Sequence, residues 1–265
     1  MSTQQKSAGG FSSLVAALAI ALSLVIGFLV YKFIFGDPSH FQENGDPIEG
    51  DYLGIIYKGG LIVPFLLATN IVVITFVIER FVNLGQAKGK GSLKTFVLKM
   101  KEHLSNNDIA SAKEECDAQK GSLANVVHAG LTKYEHIKNE TDMTKDEKIE
   151  SLKKELEEAT ALEMPMLSKN LVILSTAASV STLIGLIGTV LGMIRSFAAM
   201  SGGAPDTSQL ATGISEALIN TFLGILGSTL AIIFFNLFST KIDQLTNSMD
   251  EAAFTIVQDF TASQK

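Results

Sequence analysis

Glu216 is the one acidic residue in an apolar run that extends from residue 210 to residue 240. A carboxyl group placed deep in such a run costs roughly 2.5–3.5 kcal/mol on membrane-insertion scales. Ionisable residues at that depth usually face a protein interior or a water-filled path, and proton relays are a leading reason for them. An unpaired, desolvated carboxyl group is able to hold a proton. We therefore interpret Glu216 as a proton-binding side chain.

We expect Glu216 to have no cationic neighbour, because no Lys or Arg lies at a matching depth in the apolar runs. Arg195 lies near the end of the preceding run, and we interpret it as an interface anchor. A role for Arg195 as a distant partner of Glu216 remains open.

Small and hydroxyl side chains form stripes on the two apolar runs nearest to Glu216. In the earlier run they recur in steps of three and four, which places them on one helical face: Ser175, Ser179, Thr182, Gly185, Thr189, Gly192 and Ser196. The later run carries a similar row: Thr212, Glu216, Asn220, Gly224 and Gly227, with Thr221 beside it.

Two interpretations of these stripes are open. Close helix packing explains the small residues, because they let membrane helices approach each other. In the functional interpretation, the Thr189 and Thr221 hydroxyls pass a proton to or from Glu216. Further polar members of the stripes are then candidates to line a lumen: Ser175, Ser179, Thr182, Thr212 and Asn220.

Four apolar segments are long enough to cross a membrane, by the rule of about 20 apolar residues. They are residues 14–35, 61–78, 171–200 and 210–239, in a chain that is 47% hydrophobic and 18% charged. The first could instead be a signal peptide, but its apolar stretch is longer than usual and no A-x-A cleavage site precedes Gly36, so we expect an uncleaved helix. The sequence predicts an all-α, polytopic membrane protein with four transmembrane helices and a helical cytoplasmic extension.

The distribution of Lys and Arg predicts the topology. Most of them lie in residues 79–170, whereas the segment 36–60 has Lys58 alone and the loop near 201–209 has none. This pattern places residues 79–170 and both termini in the cytoplasm. The predicted organisation is a tail and extra helix (1–35), a periplasmic loop (36–60), a second span (61–78), a cytoplasmic segment (79–170), an ion-path core (171–239) and a cytoplasmic C-terminal helix (240–265).

The cytoplasmic segment is typical of a solvated helical bundle, because it is rich in Lys and Glu and its apolar residues recur at helical spacing. The C-terminal helix has an apolar face that we expect to pack on this bundle or on a neighbouring subunit. No nucleotide-binding loop is present, and the single cysteine, Cys116, and the scattered histidines indicate no metal centre. We predict no cofactor, no nucleic-acid partner and no enzymatic activity.

The first two spans are almost wholly apolar and suit lipid contact, whereas the polar stripes of the third and fourth need protein or water around them. A ring of identical subunits around a central lumen satisfies this requirement. We therefore expect a homo-oligomer in the lipid bilayer.

Residues 185–197 (GLIGTVLGMIRSF) and 211–224 (ATGISEALINTFLG) together resemble the paired signature of the ExbB/TolQ/MotA-type proton channels, closest to the ExbB/TolQ branch. Glu79 and Arg80, at the end of the second span, also fit that branch. The resemblance implies a pentamer around two transmembrane helices of a small ExbD/TolR-type subunit that carries an essential aspartate. It implies a bacterial inner-membrane complex in which proton flow drives TonB-like or TolA-like proteins. It also assigns the proton pathway to Glu216, Thr189 and Thr221.

The extra first helix departs from the ExbB/TolQ pattern and is similar to the four-span MotA stator subunit. The function that the resemblance implies is coupling of the proton motive force to TonB-dependent transport across the outer membrane. The alternatives are a TolQ-like subunit for envelope maintenance, a MotA-like stator subunit and a non-conducting scaffold in which Glu216 fixes helix register. A secondary transporter is disfavoured, because the spans show no inverted repeat.

Overall fold

The computed structural model describes residues 13–200 and 206–263. The tail before residue 13, the residues 201–205 of the predicted outer loop and the last two residues lie outside the described part. Nine α-helices occupy most of the described chain: α1 (Ser13–Leu29), α2 (Tyr52–Tyr57), α3 (Val63–Lys88), α4 (Leu93–Ser105), α5 (Ile109–Gln119), α6 (Gly121–Lys138), α7 (Lys145–Ser168), α8 (Leu171–Met200) and α9 (Thr207–Ser263).

Four helices are long and apolar enough to cross a membrane, which confirms the predicted fold class. No β-strand occurs in the described ranges, where an isolated bridge joins Phe41 to Pro47. A π-helical turn over Val30–Phe35 extends α1, and a 3₁₀ turn over Gly60–Ile62 leads into α3. The protein is therefore an all-α, multi-pass membrane protein.

The chain divides into two compact units. The first contains the described residues up to Glu79 together with Asn170–Asn236, and the second contains Arg80–Lys169 and the rest of the chain from Leu237. These divisions fall within three residues of the boundaries predicted for the membrane and cytoplasmic segments. The assignment of each unit to a compartment remains a prediction.

In the first unit, α3 packs on α8 and α9 rather than facing only lipid. Its residues Val63 and Leu66 form a buried cluster with Ile219 and Leu223 of α9. Asn70 Nδ2 lies 3.5 Å from the carbonyl oxygen of Leu223. The expectation that the second span suits lipid contact is thus wrong for the face of α3 that carries Val63, Leu66 and Asn70. Apolar composition does not distinguish a helix that faces lipid from one that faces other helices.

The α8–α9 crossing is built on glycines. A Cβ placed on Gly224 would lie 2.8 Å from the carbonyl oxygen of Ser181 and 3.0 Å from the Cα of Gly185. Gly192 and Gly213 meet in a similar way nearer the α8–α9 connection. The packing interpretation of the small residues therefore holds for these glycines.

The second unit is a helical bundle with a buried core. The long α9 contributes an apolar face to it, as its spacing predicts: Ile242, Leu245, Met249, Ala252, Ile256 and Phe260 are all buried. The Phe260 ring packs edge-on against Tyr134 of α6, with their centroids 4.8 Å apart. A capping box formed by Thr144 and Glu147 starts α7.

We predict that Gly224→Ala destabilises the protein, because the new methyl group would press on backbone atoms of α8 that cannot turn aside. Overpacking of this kind costs about 1–3 kcal/mol. Thermal unfolding in detergent measures the effect.

Gly85→Ala in α3 is the matched control, since nothing lies within 4 Å of the added methyl group there. Ala is the better helix former by up to ~1 kcal/mol, so this variant should be as stable as the wild type or more so. Equal melting temperatures for the two variants would contradict a tight α8–α9 crossing.

Candidate functional site

The Glu216 carboxylate is buried and paired with an arginine. Nη1 of Arg195 lies 2.7 Å from Oε1 and 2.6 Å from Oε2 of Glu216. The expectation that Glu216 has no cationic neighbour is therefore wrong, and Arg195 is more than an interface anchor. Arg195 lies five residues before the end of α8 and Glu216 nine residues after the start of α9. The offset of four residues is ~6 Å along the helix axis, which a long arginine side chain spans.

The turn that precedes α3 covers the carboxylate. Gly60 has φ +76°, a left-handed conformation that favours glycine, and a Cβ there would collide with Oε1 of Glu216. The same Cβ would lie 3.6 Å from Nη1 of Arg195. The second span thus contributes a close backbone contact to the ion pair, which the sequence did not indicate.

Asn220 lies one helical turn beyond Glu216 and is completely enclosed by the chain. Its Nδ2 donates a hydrogen bond of 2.9 Å to the carbonyl oxygen of Gly59. Its buried Oδ1 has no hydrogen-bond partner among the described residues. Asn220 therefore fixes the Gly59–Gly60 peptide over α9 and does not line an open surface of this protomer, unlike the prediction.

The first span braces the same turn. The Tyr31 ring stacks on the Tyr57 ring with the centroids 4.6 Å apart, and its hydroxyl donates to the carbonyl oxygen of Tyr57 at 3.2 Å. Tyr57 precedes Gly59 and Gly60 in the chain. The helix that the sequence left without a role thus holds the segment that covers Glu216.

The two predicted threonines meet across the α8–α9 contact. The Thr189 and Thr221 hydroxyl oxygens are directly hydrogen-bonded to each other. Thr189 Oγ1 also lies 3.1 Å from the carbonyl oxygen of Gly185, and Thr221 Oγ1 lies 3.1 Å from that of Ala217. Each hydroxyl has one proton to donate, so the pair has two orientations, with either threonine donating to the other. Because the two hydroxyls can exchange the roles of donor and acceptor, the pair is able to relay a proton.

The threonine pair and the ion pair lie at different depths. Thr221 follows Glu216 by five residues, ~7.5 Å along the axis of α9. Both hydroxyl oxygens nevertheless lie near the carbonyl oxygen of Ala217, the residue next to Glu216, at 3.4 Å from Thr189 and 3.1 Å from Thr221. The structure therefore brings Thr189 and Thr221 together but does not bring either of them into hydrogen bonding with Glu216 among the contacts of the described residues.

The other predicted lumen residues fall into two places. Three of them line one groove of about 460 Å³ beside the α8–α9 contact, together with Ser228: Ser175, Ser179 and Thr182. Thr212 is exposed near the start of α9, where its hydroxyl donates to the carbonyl oxygen of Ser208 at 2.9 Å. The groove beside the α8–α9 contact, which we call the hydroxyl groove, lies further from the α8–α9 connection than the threonine pair. It also has apolar lining residues: Ala178, Leu183, Ile232 and Phe235.

This arrangement defines a class of protein. A multi-pass helical protein with a buried carboxylate, a hydroxyl pair and a hydroxyl-lined groove along one helix contact has the parts of a proton-conducting membrane subunit. The family model described as the MotA/TolQ/ExbB proton channel family matches residues 118–251, about half of the chain. The chain belongs to this family, which confirms the resemblance, and the family consists of channel-type subunits rather than a known class of enzymes.

Individual relatives agree with this assignment. A putative biopolymer transport protein, ExbB-like 3, of Synechocystis sp. is 42% identical over 86 residues, 31% of this chain and 41% of the relative. The Tol-Pal system protein TolQ of Haemophilus influenzae is 36% identical over 100 residues, 37% of this chain and 42% of the relative. The biopolymer transport protein ExbB of Pseudomonas putida is 29% identical over 153 residues, 56% of this chain and 46% of the relative. The matches thus span about half the length of these relatives or less.

We predict that Gly60→Ala destabilises the protein more than Gly45→Ala. Both glycines have a left-handed φ, +76° and +79°, but nothing lies within 4 Å of a Cβ on Gly45. The control therefore reports backbone strain alone, about 1–2 kcal/mol. Gly60→Ala adds the collision with the Glu216 carboxylate, and the lower melting temperature in detergent measures it.

The same pair of substitutions is then made in a Glu216→Ala background. Shortening residue 216 removes the atoms that collide, so the extra cost of Gly60→Ala over Gly45→Ala should shrink. An extra cost that is unchanged in this background would contradict the contact between Gly60 and Glu216.

Proposed function

We propose that this chain is the large proton-channel subunit of an energy-transducing complex in the bacterial inner membrane. In this proposal it couples the proton motive force to TonB-dependent transport across the outer membrane. Both termini and the second unit lie in the cytoplasm. Several copies, five by the family resemblance, surround the transmembrane helices of a small ExbD/TolR-type subunit, and a TonB-like protein transmits the work.

The observation that carries the proposal is the buried Glu216 carboxylate within an apolar helix of the family-matched segment. Packing alone gives no reason to retain a carboxyl group there, because burial of a charge is costly even when it is paired. The threonine pair and the groove lined by Ser175, Ser179 and Thr182 supply polar atoms further along the same helix contact. Each elementary charge that crosses 100 mV releases about 2.3 kcal/mol, so a few protons are enough to drive a conformational cycle.

A TolQ-like role in envelope maintenance is the second candidate, favoured by the 36% identity to the TolQ protein of Haemophilus influenzae. The two roles share the proton path and differ in the protein that receives the work. Expression in bacteria that lack their own ExbB and TolQ proteins separates them. Restored growth on a nutrient that needs TonB-dependent uptake supports the first role, and restored resistance to detergent alone supports the second.

We predict that Glu216→Gln abolishes this activity and leaves assembly intact. Gln has a similar size and keeps hydrogen-bonding capacity, but it cannot bind and release a proton. Proton flux into vesicles that contain the purified complex and TonB-dependent growth should both fall to the background. Glu251→Gln, at an exposed position on the cytoplasmic part of α9, is the control and should keep wild-type flux.

Wild-type flux in folded Glu216→Gln protein would contradict the proton-carrier role. It would favour the non-conducting scaffold, in which Glu216 fixes only helix register.

We also predict that Thr189→Val and Thr221→Val each reduce proton flux, because each removes one half of the hydroxyl pair and keeps the shape of the side chain. Loss of a proton-transfer group typically costs 10²–10⁴-fold in rate. Thr229→Val, at an exposed position of α9, is the matched control. Flux in vesicles and melting temperature are measured together, and a fall in stability without a fall in flux would assign the threonines to packing alone.

A further inference from the structure

The two members of the Arg195–Glu216 pair differ sharply in their surroundings. The Glu216 side chain is 4% exposed, whereas that of Arg195 is 59% exposed. Glu216 is confined by the Gly59–Gly60 turn, but much of the arginine side chain lies free of the chain's own atoms. Of the two partners, Arg195 is therefore the one that is able to move away.

The contact is made by one nitrogen. Nη1 of Arg195 alone reaches both carboxylate oxygens, so the two-nitrogen fork that gives arginine its strongest grip on a carboxylate is not used for this contact. A lysine ammonium group is also a single donor nitrogen. This contact therefore requires a positively charged donor at position 195, but it does not require the two donor nitrogens of a guanidinium group.

Arg195 is the cation that faces the carboxylate. The other titratable groups on the surrounding elements are the phenols of Tyr31 from the first span and Tyr57 from α2, which are neutral acids. The turn over Gly60–Ile62 contributes no ionisable side chain. Among the described residues, the ion pairs of Glu216 are thus limited to Arg195.

Both carboxylate oxygens of Glu216 are engaged by Nη1 of Arg195. An incoming proton would therefore compete with the guanidinium group for the same two oxygen atoms. Burial penalises a carboxylate left without a counter-ion, so proton uptake and arginine departure are linked. The buried site stays neutral in both states, either as the ion pair or as the protonated acid.

We propose that Arg195 is a displaceable counter-ion of Glu216, a latch that keeps the carboxylate occupied in the resting subunit. When Arg195 swings toward the α8–α9 connection, the Glu216 carboxylate accepts a proton from a hydronium ion on that side, which leaves water, and becomes a carboxylic acid. When the acid gives that proton to the next acceptor, the carboxylate recaptures Arg195, which stays protonated throughout. This proposal rests on the proposed function and adds that the subunit alone is closed to protons.

The test compares Arg195→Gln with Arg195→Lys in the full-length chain. The proteins are reconstituted without a partner, a membrane potential is imposed, and proton entry is followed with a pH-sensitive dye. Arg195→Gln should leak protons severalfold faster than the wild type, whereas Arg195→Lys should stay close to the wild type because the charge is kept. The leak of Arg195→Gln should vanish in the double variant Arg195→Gln/Glu216→Gln.

A wild-type leak in folded Arg195→Gln protein would overturn the latch, and so would a leak that persists in the double variant. A lowered melting temperature without a leak would assign Arg195 to structure. These results are separate from the proposed function, which fails only if Glu216→Gln alone keeps proton-driven activity.

Infrared spectroscopy of the wild type provides a measurement that needs no Arg195 variant. The latch predicts that Glu216 is ionised at rest, so Glu216→Gln should remove no carboxylic-acid carbonyl band from the resting spectrum. Such a band in the resting wild type would overturn the proposal even if Arg195→Gln failed to fold. In folded Arg195→Gln protein the band should appear.

Discussion

The burial of one carboxylate is the constraint on which the first unit of the chain depends. Glu216 is 3% exposed, and its charge is compensated by the Arg195 guanidinium group. To hold it there, the chain needs a glycine at position 60 and an amide at Asn220 that fixes the turn above it. The close packing of α8 and α9 at their glycines then brings Arg195 and Glu216 within reach of each other. Much of the local sequence is thus explained by the requirement to enclose and neutralise a single acid.

The same constraint gives the first two spans a purpose. The Gly59–Gly60 turn belongs to the start of the second span, and the Tyr31–Tyr57 stack ties it to the first. Spans that appear in the sequence as lipid-facing anchors therefore help to form the cover of the acid. The hydroxyl groove beside Thr182 still needs a neighbouring subunit or water to cover it, so the ring of subunits stays a prediction. Asn220 and Glu216 need no such neighbour, because they are buried within their own chain.

Sequence patterns predicted the features that depend on the spacing of residues along a single helix. Helical periodicity and apolar length predicted the four spans, and the steps of three and four predicted both the glycine crossing and the buried face of α9. The stripes indicated Thr189 and Thr221 as hydroxyl neighbours of Glu216, but no pattern predicted that the two hydroxyls bond to each other. What the sequence missed were contacts between distant segments, such as Gly60 with Glu216, because no local period encodes them. The Arg195–Glu216 pair was left as an open alternative rather than predicted, because depth was judged from position in the apolar run without allowing for the reach of an arginine side chain.

A buried ion pair is a poor device for stability, since an apolar pair of similar volume is often as stable or more so. Its retention at the centre of a proton-channel subunit is better explained by the two states that it permits. In the latch that we propose, the carboxylate holds a fixed cation in one state and a mobile proton in the other. The site is neutral in both, so the exchange avoids an unpaired buried charge.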